Sequence, residues 1–224
     1  MSVAVAYTWS KAISIGCDGF FGVEGCSVQD PYHFNNDRGL SSINVPHDLN
    51  VNWLYDLPAG SGKLLHTGNH VVDYMIGGWQ VNGIANIHSG LPVNVTVNGD
   101  IANTGNASGY MRPNLIGNPS ISQQTILQYF NTAAFAVPAQ YTFGNTGRNI
   151  LRGPGLVDFD FSVFRRFPLR FREGMALEFR AEAYNVFNTT HFGNPVSNLS
   201  NVNFGQINSA SGSRQLQLGT RLDF

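Results

Sequence analysis

The residues with the most chemical potential in this chain fall into four groups. His47 and Asp48 are adjacent, and His66 and His70 are four apart; both pairs are types that ligate metals, but neither brings a second pair at ligand spacing. Solvated histidines are the default for both. Asp30, Asn35, Asn36 and Asp37 make an oxygen-rich stretch that lacks the ordered spacing of a calcium loop. Cys17 and Cys26, the chain's 2 cysteines, bracket a short glycine-rich segment. A local disulfide suits an oxidising compartment, and two free thiols are the alternative. The fourth group is the stretch from Asn98 to Ile150, rich in Asn, Gly and Ser and carrying Tyr110, Arg112, Tyr129, Tyr141 and Phe143. Aromatics with amides suit a sugar or peptide ligand, and suit equally well a loop folded over a mouth. No nucleophile elbow, phosphate-binding loop or dinucleotide fingerprint is present, so the sequence calls for no cofactor and no catalytic constellation.

The elements that would position these groups are strands. Charged residues make up 12% of the chain, against about a quarter in soluble domains, and the net charge is −1. No basic field points to nucleic acid. No apolar run is long enough for a transmembrane helix, which leaves open a membrane barrel, whose apolar residues stand at every second position. Six segments show that alternation: Val3 to Ala12, Val45 to Leu57, Gly78 to Val97, Leu156 to Phe167, Met175 to Phe187 and Arg214 to Phe224. In the last, Leu216, Leu218, Leu222 and Phe224 alternate with Gln215, Gln217, Arg221 and Asp223. Gly90 and Pro92 mark a bend in the third. No segment shows a helical period.

The links are unequal. Those after the first, third and fifth segments are the three longest, and the one after the fourth is under about 10 residues. A transmembrane barrel has long extracellular loops and short periplasmic turns, and a soluble sandwich has no reason to keep that parity. The link Pro58 to Met75 is longer than an ordinary periplasmic turn. Trp53, Tyr55, Trp79 and Phe224 fall at one expected interface, and Tyr7, Trp9, Tyr184 and Phe187 at the other, as aromatic girdles do. A turn centred near Arg170 would set Asp160 opposite Arg180 and Phe161 opposite Phe179. The expected fold is therefore all-β, an antiparallel transmembrane β-barrel segment of about six strands with long extracellular loops.

Several motifs carry a resemblance. They are Tyr7-Thr8-Trp9-Ser10-Lys11-Ala12, Gly78-Trp79-Gln80-Val81-Asn82-Gly83-Ile84, Ser89-Gly90-Leu91-Pro92 and Arg112-Pro113-Asn114-Leu115. Phe143 to Asn149, Leu151 to Gly155, Phe179 to Asn188, His191 to Pro195 and Phe204 to Ile207 continue it in order. With these the chain resembles the C-terminal part of TonB-dependent outer-membrane receptors of the Oar-like, carboxypeptidase-regulatory-domain type common in Acidobacteria.

The resemblance implies a barrel of about 22 strands with a plug, of which residues 1–224 would be the C-terminal portion, lacking plug and TonB box. It implies a bacterial outer-membrane location and energised uptake of a solute by the whole receptor, not by this piece alone, and no enzyme activity. The implied partners are outer-membrane lipid, the barrel-assembly machinery, the remainder of the receptor with its plug, and TonB only through the missing N-terminal part. Phe224 would be the assembly signal, and Tyr110, Arg112, Tyr129 and Tyr141 the candidate ligand-contact residues. The competing expectations are a soluble all-β carbohydrate-binding module and a passive porin-like barrel.

Overall fold

The structure, a computed structural model, describes residues 1–15, 28–30, 32–105, 111–169 and 174–224. Six long strands form one antiparallel sheet: β1 (Ser2–Trp9), β2 (His47–Asp56), β3 (Trp79–His88), β4 (Leu156–Pro168), β5 (Ala176–Tyr184) and β6 (Gln215–Asp223). Their order in the sheet is their order in the chain, so every neighbour is an up-and-down neighbour. The sheet is not closed: among the described residues β1 and β6 each pair on one side only.

Period-two alternation fixes which side chains share a face, and the register joins them into two continuous surfaces. One is apolar: Val5 lies opposite Val51, Val51 opposite Ala85, Phe159 opposite Ala85, and Ala181 between Val163 and Leu218. The other is polar: Asn50 lies opposite Asn86, Asn86 opposite Asp158, and Glu178 opposite Arg221. Gly83 shows how tightly the apolar face is fitted. It faces Trp53 across β2 and β3, and an added Cβ would overlap the indole ring. The ring covers the gap that the missing side chain leaves.

Four expectations need correction. Leu177 pairs with Phe167, so Phe164 lies opposite Arg180 and Phe161 opposite Ala183. The hairpin is thus slipped by four positions from the expected register; an even slip leaves both faces unchanged. The third segment ends at His88, and Pro92–Val93 leaves the sheet to pair with Leu151–Arg152. The fifth ends at Tyr184, because Asn185 and Asn188 take positive φ (47° and 54°) and turn the chain. Tyr184 itself stands on the polar face and donates to Glu182 Oε2 (3.2 Å), so it is not part of an apolar-face girdle.

The fourth correction is a helix, α1 (His70–Ile76), in the link between β2 and β3. Asn69 caps it by accepting the N–H groups of Val71 and Val72 (3.0 and 3.4 Å). Asp73 ties it back to the link by accepting the N–H and hydroxyl of Thr67 (2.7 and 2.9 Å). Asn69 followed by Asp73 was the available start signal; seven residues are too few to show a period.

The Thr67 N–H is the main influence holding the Asp73 carboxyl below the usual carboxylate range. Burial opposes it, while the Thr67 hydroxyl, the charge of His66 and the Gly68 N–H add to it. A depressed folded pKa means that the contribution is present above the unfolded value of about 3.8 and lost as pH falls through the folded value. Trp79 Nε1 donates to the Met75 carbonyl at the end of α1 (3.1 Å), so its emission reports on the helix. We expect that emission to be flat from neutral pH to about 4 and to shift only below it; Asp73→Asn shows the shifted spectrum at all pH values. A pH-independent spectrum in the parent protein would refute this anchoring role.

Candidate functional site

The polar face carries a ladder of charges of alternating sign. Arg166 and Arg221 both reach Asp223 (3.1 and 2.8 Å) near the short-turn end. Farther up, Arg180 lies between Glu178 (3.0 Å) and Glu182 (3.5 Å), with its guanidinium 5.5 Å from the Phe164 ring centre. Side chains two apart on a strand share a face, which is why Glu-x-Arg-x-Glu makes a triad without help from another element. Opposite Arg180 stands Gly219. The missing side chain opens a cleft of about 250 Å³ over Gly219, bordered by Glu178, Arg180, Glu182, Gln217 and Arg221. Toward the other end, Asp160 accepts the Asn185 N–H (2.9 Å), and Asp158 Oδ1 lies 3.3 Å from His191 Nε2, an ion pair when the imidazole is protonated.

At the long-link end, residues of all three long links fold together into one cap. Its first half is polar and buried. Arg112 (1% exposed) pairs with Asp37 (0% exposed), donates Nε–H to the Thr146 carbonyl (2.8 Å) and Nη2–H to the Asn36 carbonyl (3.1 Å). Gln29 bridges the same groups: its amide accepts the Arg112 N–H (2.7 Å) and donates to the Gly144 carbonyl (3.0 Å). Arg148 donates to the Asp37 and Ser14 carbonyls (3.0 and 2.8 Å). Gly144 is required because an added Cβ would strike the carbonyl of Arg112. Asn114 and Asn145 exchange bonds with each other's segments: Asn114 accepts the Asn145 N–H (3.1 Å) and Asn145 accepts the Leu115 N–H (2.7 Å).

The second half of the cap is apolar. Val95, Phe130, Ala134 and Phe135 form a buried cluster, against which Leu199 and Phe204 of the third long link pack. Phe130, Phe135 and Phe204 meet edge to face at 5.1 to 5.8 Å between ring centres, a favoured aromatic geometry. Main-chain bonds close the joint: Tyr129 N–H to the Gly205 carbonyl, Ile207 N–H to Ile126, and Leu199 N–H to Thr96, each 2.8 Å.

The structure therefore redistributes the residues that the sequence singled out. Arg112 is an internal strut: it is 1% exposed, and each of its three guanidinium nitrogens donates to a protein partner, Asp37, Asn36 or Thr146. Tyr129 is half-buried beside the aromatic cluster and lines a cleft of about 380 Å³ with Gln124, Ile150 and Arg152; burial pushes its hydroxyl up. Tyr141 is exposed, with a positive φ of 66°, and is not part of that cleft's lining. Tyr110, Cys17 and Cys26 lie outside the described residues. Phe224 is exposed at the end of β6, on the register of the apolar face.

His66 and His70 are both exposed, while the other metal-type groups have protein partners. His47 Nδ1 shares a hydrogen bond with the Tyr7 hydroxyl (2.8 Å), and Asp48 accepts from Asn50 (2.9 Å). Asp30 is held by His33 (2.7 Å) and the Tyr32 N–H (2.9 Å). Burial works to raise its carboxyl, and these bonds outweigh it and keep it below the usual range. With Asp37 given to Arg112, the oxygen-rich stretch has both carboxylates committed to protein partners. Sequence reading missed Gln29 and Arg148 as struts, since each is paired with residues more than a hundred positions away.

Comparison with known proteins agrees with the two-faced sheet. A family model described as an outer membrane beta barrel domain matches residues 1–217. No curated protein and no solved structure matches the chain.

Proposed function

This chain belongs to the outer membrane beta barrel domain family, and from that premise we propose that it forms the wall and extracellular cap of a TonB-dependent receptor that takes up a solute across the outer membrane. Its place in the outer membrane makes the apolar face the lipid side and the polar face the lumen. The long links are then extracellular and the short turn periplasmic. A soluble carbohydrate-binding module is set aside by that location.

The observation that carries the receptor reading is the cap. Its first and second links share the buried Arg112–Asp37 pair, and its second and third share one aromatic cluster. A preformed outer surface of this kind fixes recognition groups at the mouth, whereas loops that only had to leave a pore open would need no shared core. The Arg112-Pro113-Asn114-Leu115 and Phe143 to Asn149 motifs, on which the resemblance rests, are the segments that build this cap.

Six strands leave the backbone edges of β1 and β6 to be paired, and an unmade backbone bond in lipid costs several kcal/mol. We propose that further strands of the same receptor fill both edges. The test is the DNA upstream of the Met1 codon. In-frame sequence for a plug, a TonB box and further alternating strands supports the reading, and solute uptake that stops when TonB is removed completes it. Uptake independent of TonB would instead make the protein a passive barrel.

Phe224 has a separate test. If it is read by the assembly machinery, as the resemblance implies, Phe224→Ala lowers the folded outer-membrane fraction several-fold while leaving the unfolded precursor in the periplasm. An unchanged folded fraction removes the role.

A further inference from the structure

The link between β2 and β3 turns its greasy side outward. On α1, Asp73 is buried and Ile76 half-buried, whereas Val71 (73% exposed), Val72, Tyr74 and Met75 (61% exposed) are exposed. A helix on a wetted surface does the reverse, with its apolar stripe toward the protein. Leu64 and Leu65, just before the helix, are exposed as well.

The helix also lies on a definite side of the wall. The apolar row of β4 runs Val157, Phe159, Phe161, Val163 and then Arg165, which sits opposite Trp79. Arg165 is nonetheless buried: it donates Nη1–H to the Met75 carbonyl (2.6 Å), and its guanidinium lies 4.0 Å from the Phe167 ring centre and 5.1 Å from that of Tyr74. Tyr74 meets Phe167 at 6.1 Å. So α1 covers the lipid side of the sheet at its periplasmic end, and its exposed residues continue the lipid-facing surface.

We infer that α1 and Leu64–Leu65 lie in the periplasmic leaflet of the outer membrane, with Val71 and Met75 immersed at the boundary between phospholipid headgroups and acyl chains. The occupant is lipid because the patch is continuous with the surface that lipid already covers, and because Arg165, a charge on that surface, is roofed by the helix. Helices that rest in the interface immerse their apolar side by about 5–10 Å. Lys63, beside this patch in sequence, supplies a cation for headgroup phosphate. The link is longer than a periplasmic turn needs to be because it builds this float. The inference rests on the outer-membrane location alone and is independent of any transported solute.

The test uses the purified protein in phosphatidylcholine–phosphatidylglycerol vesicles. Val71→Trp and, separately, Met75→Trp place a reporter on exposed positions, with heat-modifiable mobility confirming the fold. The added emission should be blue-shifted, strongly quenched by lipids brominated near the top of the acyl chain, and little affected by iodide in the water. In the unsubstituted protein, a carbene reagent carried on a phospholipid should label the peptide spanning Leu64 to Met75. Water-like emission quenched by iodide, or absence of labelling there while the strands are labelled, would overturn the inference.

Discussion

Replacing Arg112 by methionine should unfold the extracellular cap and leave the barrel wall standing. The substitution takes from Asp37, fully buried, its guanidinium partner; among the described residues the N–H groups of Gln29 (3.2 Å) and Asp30 (3.5 Å) still donate to its carboxylate. Breaking a buried ion pair from one side costs about 3–5 kcal/mol, because the remaining charge stays out of water without its partner. The first two long links meet at this pair, and the second is joined to the third through the aromatic cluster, so the loss spreads across the cap rather than staying local. On intact cells, added protease should then cut within the cap of Arg112→Met, while parent protein resists and β6 keeps its folded, heat-modifiable mobility. Arg112→Lys should behave nearly as badly, since one ammonium cannot reach Asp37, Asn36 and Thr146 in the planar fork that Arg uses. Asp37→Leu combined with Arg112→Met should recover much of the resistance, as apolar replacements of buried pairs often do. If the single variant resists protease like the parent, the pair does not hold the cap.

The second large effect separates the two faces of the sheet. Ala181 sits midway along β5 between Val163 and Leu218 on the apolar face, and Gln217 lies opposite Glu182 on the polar face. An arginine at the lipid midplane of a barrel costs about 2–4 kcal/mol, whereas a surface substitution in a wet lumen changes stability by about 0.5 kcal/mol or less. Ala181→Arg should therefore lower the urea midpoint for unfolding from vesicles substantially, and Gln217→Arg should barely move it. Gln217→Arg would instead alter the charge around the cleft over Gly219. A reversed order of the two variants would mean that the faces have been assigned the wrong way round.

Much of the wall was legible in advance because the signals are local. Alternation at period two is a property of consecutive residues, so Leu216, Leu218 and Leu222 mark a lipid face whatever lies next to them. Link lengths are equally local, and they placed the cap at one end. The slip in the β4–β5 pairing passed unnoticed for the same reason: moving Phe161 from Phe179 to Ala183 keeps every side chain on its own face, so the alternation carries no trace of it.

The sequence by itself determined the strands, the two faces and which end carries the long links, since each follows from residue order and pleat geometry. The tertiary structure alone decided the roles of individual polar residues. Arg112 read as a candidate ligand contact, and Asp37 as one member of an oxygen-rich stretch without calcium-loop spacing, until the fold brought together groups 75 positions apart and excluded water from both. It also decided that α1 faces outward with its apolar side, because the inward side is claimed by Asp73 bound to Thr67 and by the roof over Arg165. Partners distant in sequence leave no periodic signature, and burial is a property of the whole packed chain rather than of any segment in it.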